Sequence, residues 1–452
     1  MKPKAAQETP YLPLGPFKLR LPFIHYRLEK VEFIQGLIIG ATALSMMYYI
    51  MDYIGLSEEL AYSVVIFEVM LYLLHGLLGD PVVPGWITAA LPLVLGYLDG
   101  FQPGVERVHA MMALQLLVAG IFLFMGMTGL ARRFVHLVPN ALKGAILMAA
   151  PVSVLNQQLK ADGTLHTHPF SLIIGFLFLV IIMYSTFYQK WRKQSRLLDL
   201  IGQYGNLFPY LLAMLVGVLV GELAAPALTL GTLIKIPDWS GVIHQVSVFA
   251  IGVPSLNLFI QAIPLAFMIY IIAFGDFITA KSLVKDAMAE RQDESIDFDE
   301  NRSNLISGIR NLLLGLLMPF PPFAGPLWAG IMVSTTQRYK EGKQAMQTLF
   351  GGLVSFRIGT LLCVLLVPIS SFMQPVFSVA GAITLLFQGI VSGRIGIDYC
   401  HNDLDRLIAP FTAVIIALAG AGWGLLAGIT LHVLLGNFSA RTGQAETDER
   451  SL

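Results

Sequence analysis

Cysteine and charge are both scarce in this chain. Of its 452 residues only Cys363 and Cys400 are cysteines, both in or beside expected apolar spans, which argues against a disulfide framework or a Cys-rich metal site. Charged residues make up 13%, about half the share found in soluble domains. Catalytic signatures are missing as well. There is no His-Glu-Xaa-Xaa-His helix, no Gly-Xaa-Ser-Xaa-Gly elbow and no pair of intramembrane aspartates, so an enzyme is not expected. No Gly-Lys-Ser/Thr loop is present for ATP, and His166 with His168 would give a metal two ligands at most; no cofactor is expected. The formal net charge is zero, which speaks against a nucleic-acid partner. No cleavable leader is expected, because residues 1–30 are charged and Pro-rich and precede a full-length span.

Apolar residues, in contrast, reach 56%, with a mean hydropathy of +0.70. Apolar stretches recur from end to end, long enough to cross about 30 Å of hydrocarbon as helices. The chain reads as an all-α polytopic membrane protein with fourteen transmembrane spans. They are expected at 33–53, 59–78, 83–98, 109–129, 139–157, 170–188, 206–224, 258–280, 303–318, 324–336, 345–368, 373–391, 407–420 and 422–438. With the N-terminus placed inside, Lys2, Lys4, Lys18, Arg20, Arg27 and Lys30 share a side with Arg132, Arg133, Lys190, Arg192, Lys193 and Arg196. Lys281, Lys285, Arg338, Lys340 and Lys343 join them, whereas Arg107, Lys160 and Lys235 fall opposite and Arg357 lies within a span. That bias obeys the positive-inside rule and predicts two cytoplasmic termini, in a bacterial plasma (inner) membrane. Residues 1–32 and 439–452 are then cytoplasmic segments, 225–257 is an outer connection between the halves, and 281–302 is a charged, solvated loop.

The halves echo each other. Phe33-Ile34-Gln35-Gly36 opens the first span and Phe259-Ile260-Gln261-Ala262 opens the eighth. Pro84 to Ala89 is matched loosely by Phe323 to Trp328, and Pro139 to Gly144 by Pro375 to Gly381. Seven spans separate the copies, and an odd number turns the second copy upside down. The expectation is therefore 7+7 inverted repeats, 33–224 and 258–438, an arrangement that in membranes points to transport.

Spans three and ten are broken. Pro81, Pro84, Gly85 and Pro92 interrupt one; Pro319, Pro321, Pro322, Gly325, Pro326 and Gly330 interrupt the other. Freed backbone groups must be buried against protein or turned to a ligand, and half-helix N-termini offer amides and a positive dipole end to a substrate. Ionisable residues at membrane depth are costly and face polar paths. Asp276, in Ala273-Phe-Gly-Asp-Phe-Ile-Thr-Ala-Lys281, is a candidate for contact with substrate or coupling ion. Glu68 and His75, seven residues apart on one helical face, are candidates for a proton path or for a buried tie between helices. Trp86 and Trp328 flank the two breaks and could sandwich a flat substrate or simply pack. Arg357 is expected to pair with an acidic partner or to snorkel. Gly36 with Gly40 reads as a close-packing pair.

These features, above all Gly275-Asp-Phe-Ile-Thr-Ala-Lys281 and the two broken spans, resemble the superfamily joining the uracil/xanthine permeases with the sulfate permeases and anion exchangers. The resemblance covers roughly 31–438. It implies a core domain, 33–129 plus 258–368, and a gate domain, 139–224 plus 373–438, and it implies a homodimer. It also implies extended segments at 84–89 and 323–328 that meet at the substrate. Substrate-binding residues would be Gly85, Trp86, Ile87, Thr88, Ala324, Gly325, Leu327, Trp328 and Asp276; ion-coupling residues would be Asp276, Glu68 and His75. Two departures stand out: Phe323 to Ile331 lacks the glutamate of nucleobase permeases, and no sulfate-permease-type regulatory domain is expected after the last span.

The expected function is secondary transport of a small solute by alternating access, without covalent chemistry. A nucleobase-like organic solute with H+ or Na+ coupling leads, and a small inorganic or organic anion is the alternative. Membrane lipid is the expected surrounding partner.

Overall fold

The computed structural model describes residues 7–192, 194–203 and 206–449. Lys2, Lys4 and Lys193 of the basic clusters lie outside them. Helices dominate, and the fold is all-α and polytopic, as the apolar pattern demanded. Each expected span is met by a helix: α1 (Lys30–Ile54), α2 (Glu58–Leu77), α3 (Thr88–Leu98), α4 (Val105–Thr128), α5 (Asn140–Gln158), α6 (Pro169–Tyr184) and α7 (Leu207–Val220) in the first half. The second half has α8 (Leu256–Glu290), α9 (Glu300–Leu317), α10 (Ala329–Lys340), α11 (Leu349–Leu365), α12 (Val367–Asp398), α13 (Asp403–Ala419) and α14 (Ala421–Leu435). Among the described residues five of these are long and apolar enough to cross a membrane singly, and up to seven when each sharply bent pair is taken as one span. The others are shorter, and α3 and α10 are short because a strand takes their first residues.

Local chemistry explains the boundaries. Ser57 caps α2 by accepting the amide of Leu60, Thr348 caps α11 through Gly351 N–H, and Asn402 caps α13 through Asp405 N–H. Gly55, at φ 77°, ends α1. Helix α1 lies against α11 at the glycine pair read from the sequence: a Cβ on Gly40 would come within 2.6 Å of the Cys363 Cβ. The strongest further packing pairs are α4 with α9 and α8, α5 with α12 and α13, α13 with α14, and α6 with α7. Large apolar residues such as Leu177, Leu219, Leu434 and Trp423 remain on the outer surface, as lipid-facing positions should.

Two expectations about the polar segments need correction. Residues 281–302 are not a solvated loop: α8 continues to Glu290, and strand β5 (Glu294–Ser295) then pairs in parallel with β1 (Gln7–Glu8). Arg291, Glu294 and Arg302 are buried there: Arg291 donates to Met346 O, Arg302 donates to Asp297 O, and Glu294 accepts from the Thr9 hydroxyl and the Leu349 amide. The N-terminal segment is equally ordered. Its hairpin, β2 (Leu12–Leu14) with β3 (Phe17–Leu19), lies beside the end of α2, where the amides of Lys18 and Arg20 donate to Leu78 O and Leu77 O. At the other end of the chain, the final helix runs to Glu449 where a polar tail was expected.

Candidate functional site

The two broken spans meet. Strands β4 (Gly85–Trp86) and β6 (Ala324–Gly325) pair antiparallel, with Gly85 opposite Gly325 and Trp86 opposite Ala324. The pairing extends on both sides, since Ile87 N–H donates to Phe323 O and Trp328 N–H donates to Val83 O at 2.7 Å. Backbone groups freed by the proline breaks thus satisfy each other at the heart of the bundle. Glycine is required for this approach. A Cβ on Gly85 would sit 2.7 Å from Leu327 O, and one on Gly325 2.7 Å from the Trp86 carbonyl carbon. Helices α3 and α10 leave the strand pair in opposite senses, so both N-termini, with their unpaired first amides, lie beside it.

Behind the strands lies a polar cluster centred on Arg310 of α9, which is fully buried. Its guanidinium donates to Glu68 Oε1 at 2.5 Å, Gly325 O at 2.9 Å and Gly85 O at 3.4 Å, and it reaches His75 Nε2 at 3.1 Å. One side chain therefore joins both strands and α2. His75 Nδ1 is 2.7 Å from Asp80 Oδ2, which also accepts from the Ser303 hydroxyl at 2.6 Å. On the β6 side Asn311 brackets Ala324, accepting its amide at 3.0 Å and donating to its carbonyl at 2.8 Å; Gln115 accepts Phe320 N–H at 2.8 Å.

Arg357 of α11 is 2% exposed, yet none of its three guanidinium nitrogens has a hydrogen-bond partner among the described residues. It neither pairs with a carboxylate nor snorkels, contrary to the expectation; instead it stacks 3.9 Å from the Tyr72 ring centroid and 5.3 Å from that of Trp328. The gap it shares with Tyr72, Val82, Pro84 and Val354 has no room for a water molecule. Two guanidiniums thus lie close behind the strands against the single carboxylate of Glu68, while Asp80 is held by His75 and Ser303.

The structure brings Gly85, Trp86, Ile87, Ala324, Gly325, Leu327 and Trp328 together at the strand pair, with Thr88 opening α3 just beyond. Trp86 and Trp328 have separate partners: Trp86 packs near Phe320 and Trp328 near Phe356. Asp276 is half-buried on α8, which touches both the Thr88–Ala90 turn and α10. No described residue hydrogen-bonds to its carboxylate. Glu68 and His75 do share one face, and that face is turned to Arg310. Arg310 was missed in the sequence. Its signal was a lone arginine at the middle of span nine, where only a buried partner could hold it.

No family model and no curated protein matches the chain. Solved structures do. The transmembrane domain of a cyanobacterium bicarbonate transporter, BicA, matches with a TM-score of 0.50 at 13% identity, covering 88% of this chain and 97% of that one. A structure of SLC26A9 matches at TM-score 0.52 and 14% identity, covering 92% of this chain and 66% of that one. The murine solute carrier 26 family member A9 anion transporter, in an inward-facing state, matches at TM-score 0.53 and 12% identity, with 92% and 70% covered. These likenesses show the fold alone, an all-α polytopic arrangement with inverted repeats. They fall on the anion-transporter side of the resemblance; the nucleobase-permease side is not represented among them.

Proposed function

We propose that this integral membrane protein is a secondary transporter of a small anion, working by alternating access. The observation that carries the reading is electrostatic: two half-helix N-termini converge on a strand pair backed by Arg310 and Arg357, and of these two guanidiniums only that of Arg310 is paired with a carboxylate, Glu68, among the described residues. An anion gains from such a field, and a neutral flat base gains little from it. The tenth segment's lack of a glutamate and the likeness to anion and bicarbonate transporters support the same choice. The nucleobase reading moves to second place.

In this reading the anion sits at residues 84–89 and 323–328 beside α8, with Gly85, Trp86, Ile87, Thr88, Ala324, Gly325, Leu327 and Trp328 around it. Spans 1–4 and 8–11 act as the core and spans 5–7 and 12–14 as the gate; the tight pairing of α4 with α9 and of α5 with α12 and α13 supports that division. Glu68 and His75 brace the core through Arg310, which leaves Asp276 as the candidate for coupling to H+ or Na+. Both termini are cytoplasmic in this orientation, in a bacterial inner membrane, and a homodimer is the expected assembly.

Proteoliposome uptake tests the reading. Bicarbonate, sulfate or chloride should show saturable uptake and compete with one another, while uracil should not. Saturable uracil uptake with no anion flux would reverse the choice. Replacing Asp276 with Asn should abolish gradient-driven accumulation while leaving anion exchange measurable; unchanged accumulation would remove Asp276 from coupling.

A further inference from the structure

The approach to the first span contains a turn that exposes what a soluble surface would hide. Phe23 is 80% exposed and Ile24 72% exposed, side by side at the tip. The tip is also rigid and strained. Phe23 adopts φ 68°, a left-handed conformation that a bulky residue rarely takes. Three hydrogen bonds hold it there: Phe23 N–H to Tyr26 O at 2.8 Å, His25 N–H to Leu21 O at 3.0 Å, and Leu21 N–H to His25 Nδ1 at 2.9 Å. Nothing in the turn itself rewards that conformation, because the side chain it displays touches little.

Its placement indicates the partner. Tyr26, at the foot of the turn, is buried with Phe350 and Val354 of α11, and Leu28, Leu73 and Ile358 pack against that cluster. The tip is therefore pinned at the ends of α2 and α11, and α1 begins at Lys30, a few residues on. Val31 and Ile34, 50% and 40% exposed, continue an outward apolar surface into α1 itself. Arg27, with its side chain 56% exposed and its Nε 3.2 Å from Glu29 Oε1, and Lys30, also exposed, flank the apolar pair on its polar side.

We propose that the Leu21–Tyr26 turn is a membrane anchor for the N-terminal segment. Phe23 and Ile24 enter the boundary between headgroups and acyl chains, and Arg27 and Lys30 face anionic headgroups of the same leaflet. Two apolar side chains beside two cations at the foot of a span match the chemistry of an anionic lipid surface. The anchor fixes the N-terminal hairpin against the end of α2, independently of which solute is carried.

The native cysteines make a direct test practical, since Cys363 and Cys400 are both buried. Ile24→Cys, and separately Phe23→Cys, are labelled with an environment-sensitive fluorophore, with Gln292→Cys in the exposed Asp293 loop as the reference. The full chain is reconstituted in phosphatidylcholine/phosphatidylglycerol vesicles. Spin-labelled lipid with a shallow nitroxide should quench the labels at 23 and 24 several-fold more than the label at 292, and aqueous iodide should do the reverse. The lipid quenching should weaken when phosphatidylglycerol is left out. Iodide quenching at 23 and 24 equal to that at 292 would overturn the proposal. Labels shielded from both quenchers at high protein density, and exposed to iodide on dilution in lipid, would overturn it too, by assigning the tip to contact between copies of the chain.

Discussion

Residues 77–86, leading into β4, are fastened largely by ionised groups, whereas residues 317–324, leading into β6, are fastened by amides, and Arg310 takes the carbonyl of Gly325 just beyond them. The first break has Asp80 on His75 and Ser303, Arg310 on Gly85 O, and the N-terminal hairpin on the last carbonyls of α2. The second has Gln115 on Phe320 and Asn311 on Ala324. The repeat makes the contrast sharper. Glu68 and Arg310, on the second helix of each half, pair with each other across the repeat. Gln115 and Arg357, on the fourth helix of each half, also differ: the amide is tied to its break, while the guanidinium stacks on aromatic rings and has no hydrogen-bond partner among the described residues. The second break carries a different burden: the buried Phe323 sits at φ 56°, while the first turns on Gly79 at φ 89°. Duplication supplied one frame, and the two breaks then diverged. One is held largely by ionised groups shared among several elements, the other largely by neutral amides, with Arg310 common to both.

Breaking the electrostatic junction should have the largest effect. In Arg310→Met, Glu68 is left buried without its cation and both strand carbonyls lose a donor, a loss of about 3–5 kcal/mol. The thermal midpoint in detergent should fall far, or the protein should fail to accumulate. Adding Glu68→Gln to Arg310→Met should recover much of that loss, because the stranded charge is then gone. A double variant no better than the single would mean that the strand carbonyls, not the ion pair, set the penalty.

Much of this frame was legible in the residues. Apolar runs gave the order of the helices, proline clusters marked the two breaks, and the echo near Phe33 and Phe259 indicated the inversion. That Gly85 and Gly325 meet was implied only by the resemblance, and the structure adds the reason, since a Cβ on either would press on the facing backbone. The fastening was not legible. Which acid meets Arg310 depends on packing between spans two and nine, which no local pattern encodes, and a mid-span arginine is easily counted with the positive loops. Segment 281–302 misled for a related reason. Its charges read as solvated, but Arg291 donates to Met346 O on a distant segment and Arg302 to Asp297 O within its own, so burial follows from specific acceptors rather than from composition.

The matched pair Gln115 and Arg357 offers a sharper comparison with smaller effects of opposite direction. Gln115→Leu removes the acceptor of the Phe320 amide and leaves that group buried and unpaired, at a cost of about 1–3 kcal/mol. Arg357→Met removes a buried cation that has no acceptor to lose, so stability should hold or rise. Thermal midpoints of the two variants in the same detergent decide the matter. The proposed function adds a second readout: Arg357→Met should weaken apparent anion affinity even where it stabilises the fold. If both variants destabilise alike, Arg357 has an acceptor, and the asymmetry between the breaks disappears.

Acid should separate the two breaks with the smallest energy of all. The hairpin that straps the first break is held by Lys18, which bonds Glu8 at 2.7 Å and Asp297 at 2.8 Å; Arg302 is 3.2 Å from the same Asp297 carboxylate. Burial alone would push the Asp297 carboxyl up, but the hydrogen bond from Lys18 and the charge of Arg302 outweigh it and hold the group below its ordinary value. A depressed carboxylate stabilises the fold above its unfolded pKa, about 3.9, and that contribution is lost as pH falls through the lower folded value. Hydrogen exchange, corrected for the intrinsic rate at each pH, should therefore show the Lys18 and Arg20 amides losing protection below about pH 4. The Phe320 amide, whose acceptor is the uncharged Gln115, should keep its protection over the same range. Asp297→Asn should remove the acid-dependent step at Lys18 and Arg20. Simultaneous loss at all three amides would show global unfolding, and the two breaks would then behave as one unit under acid despite their different fastenings.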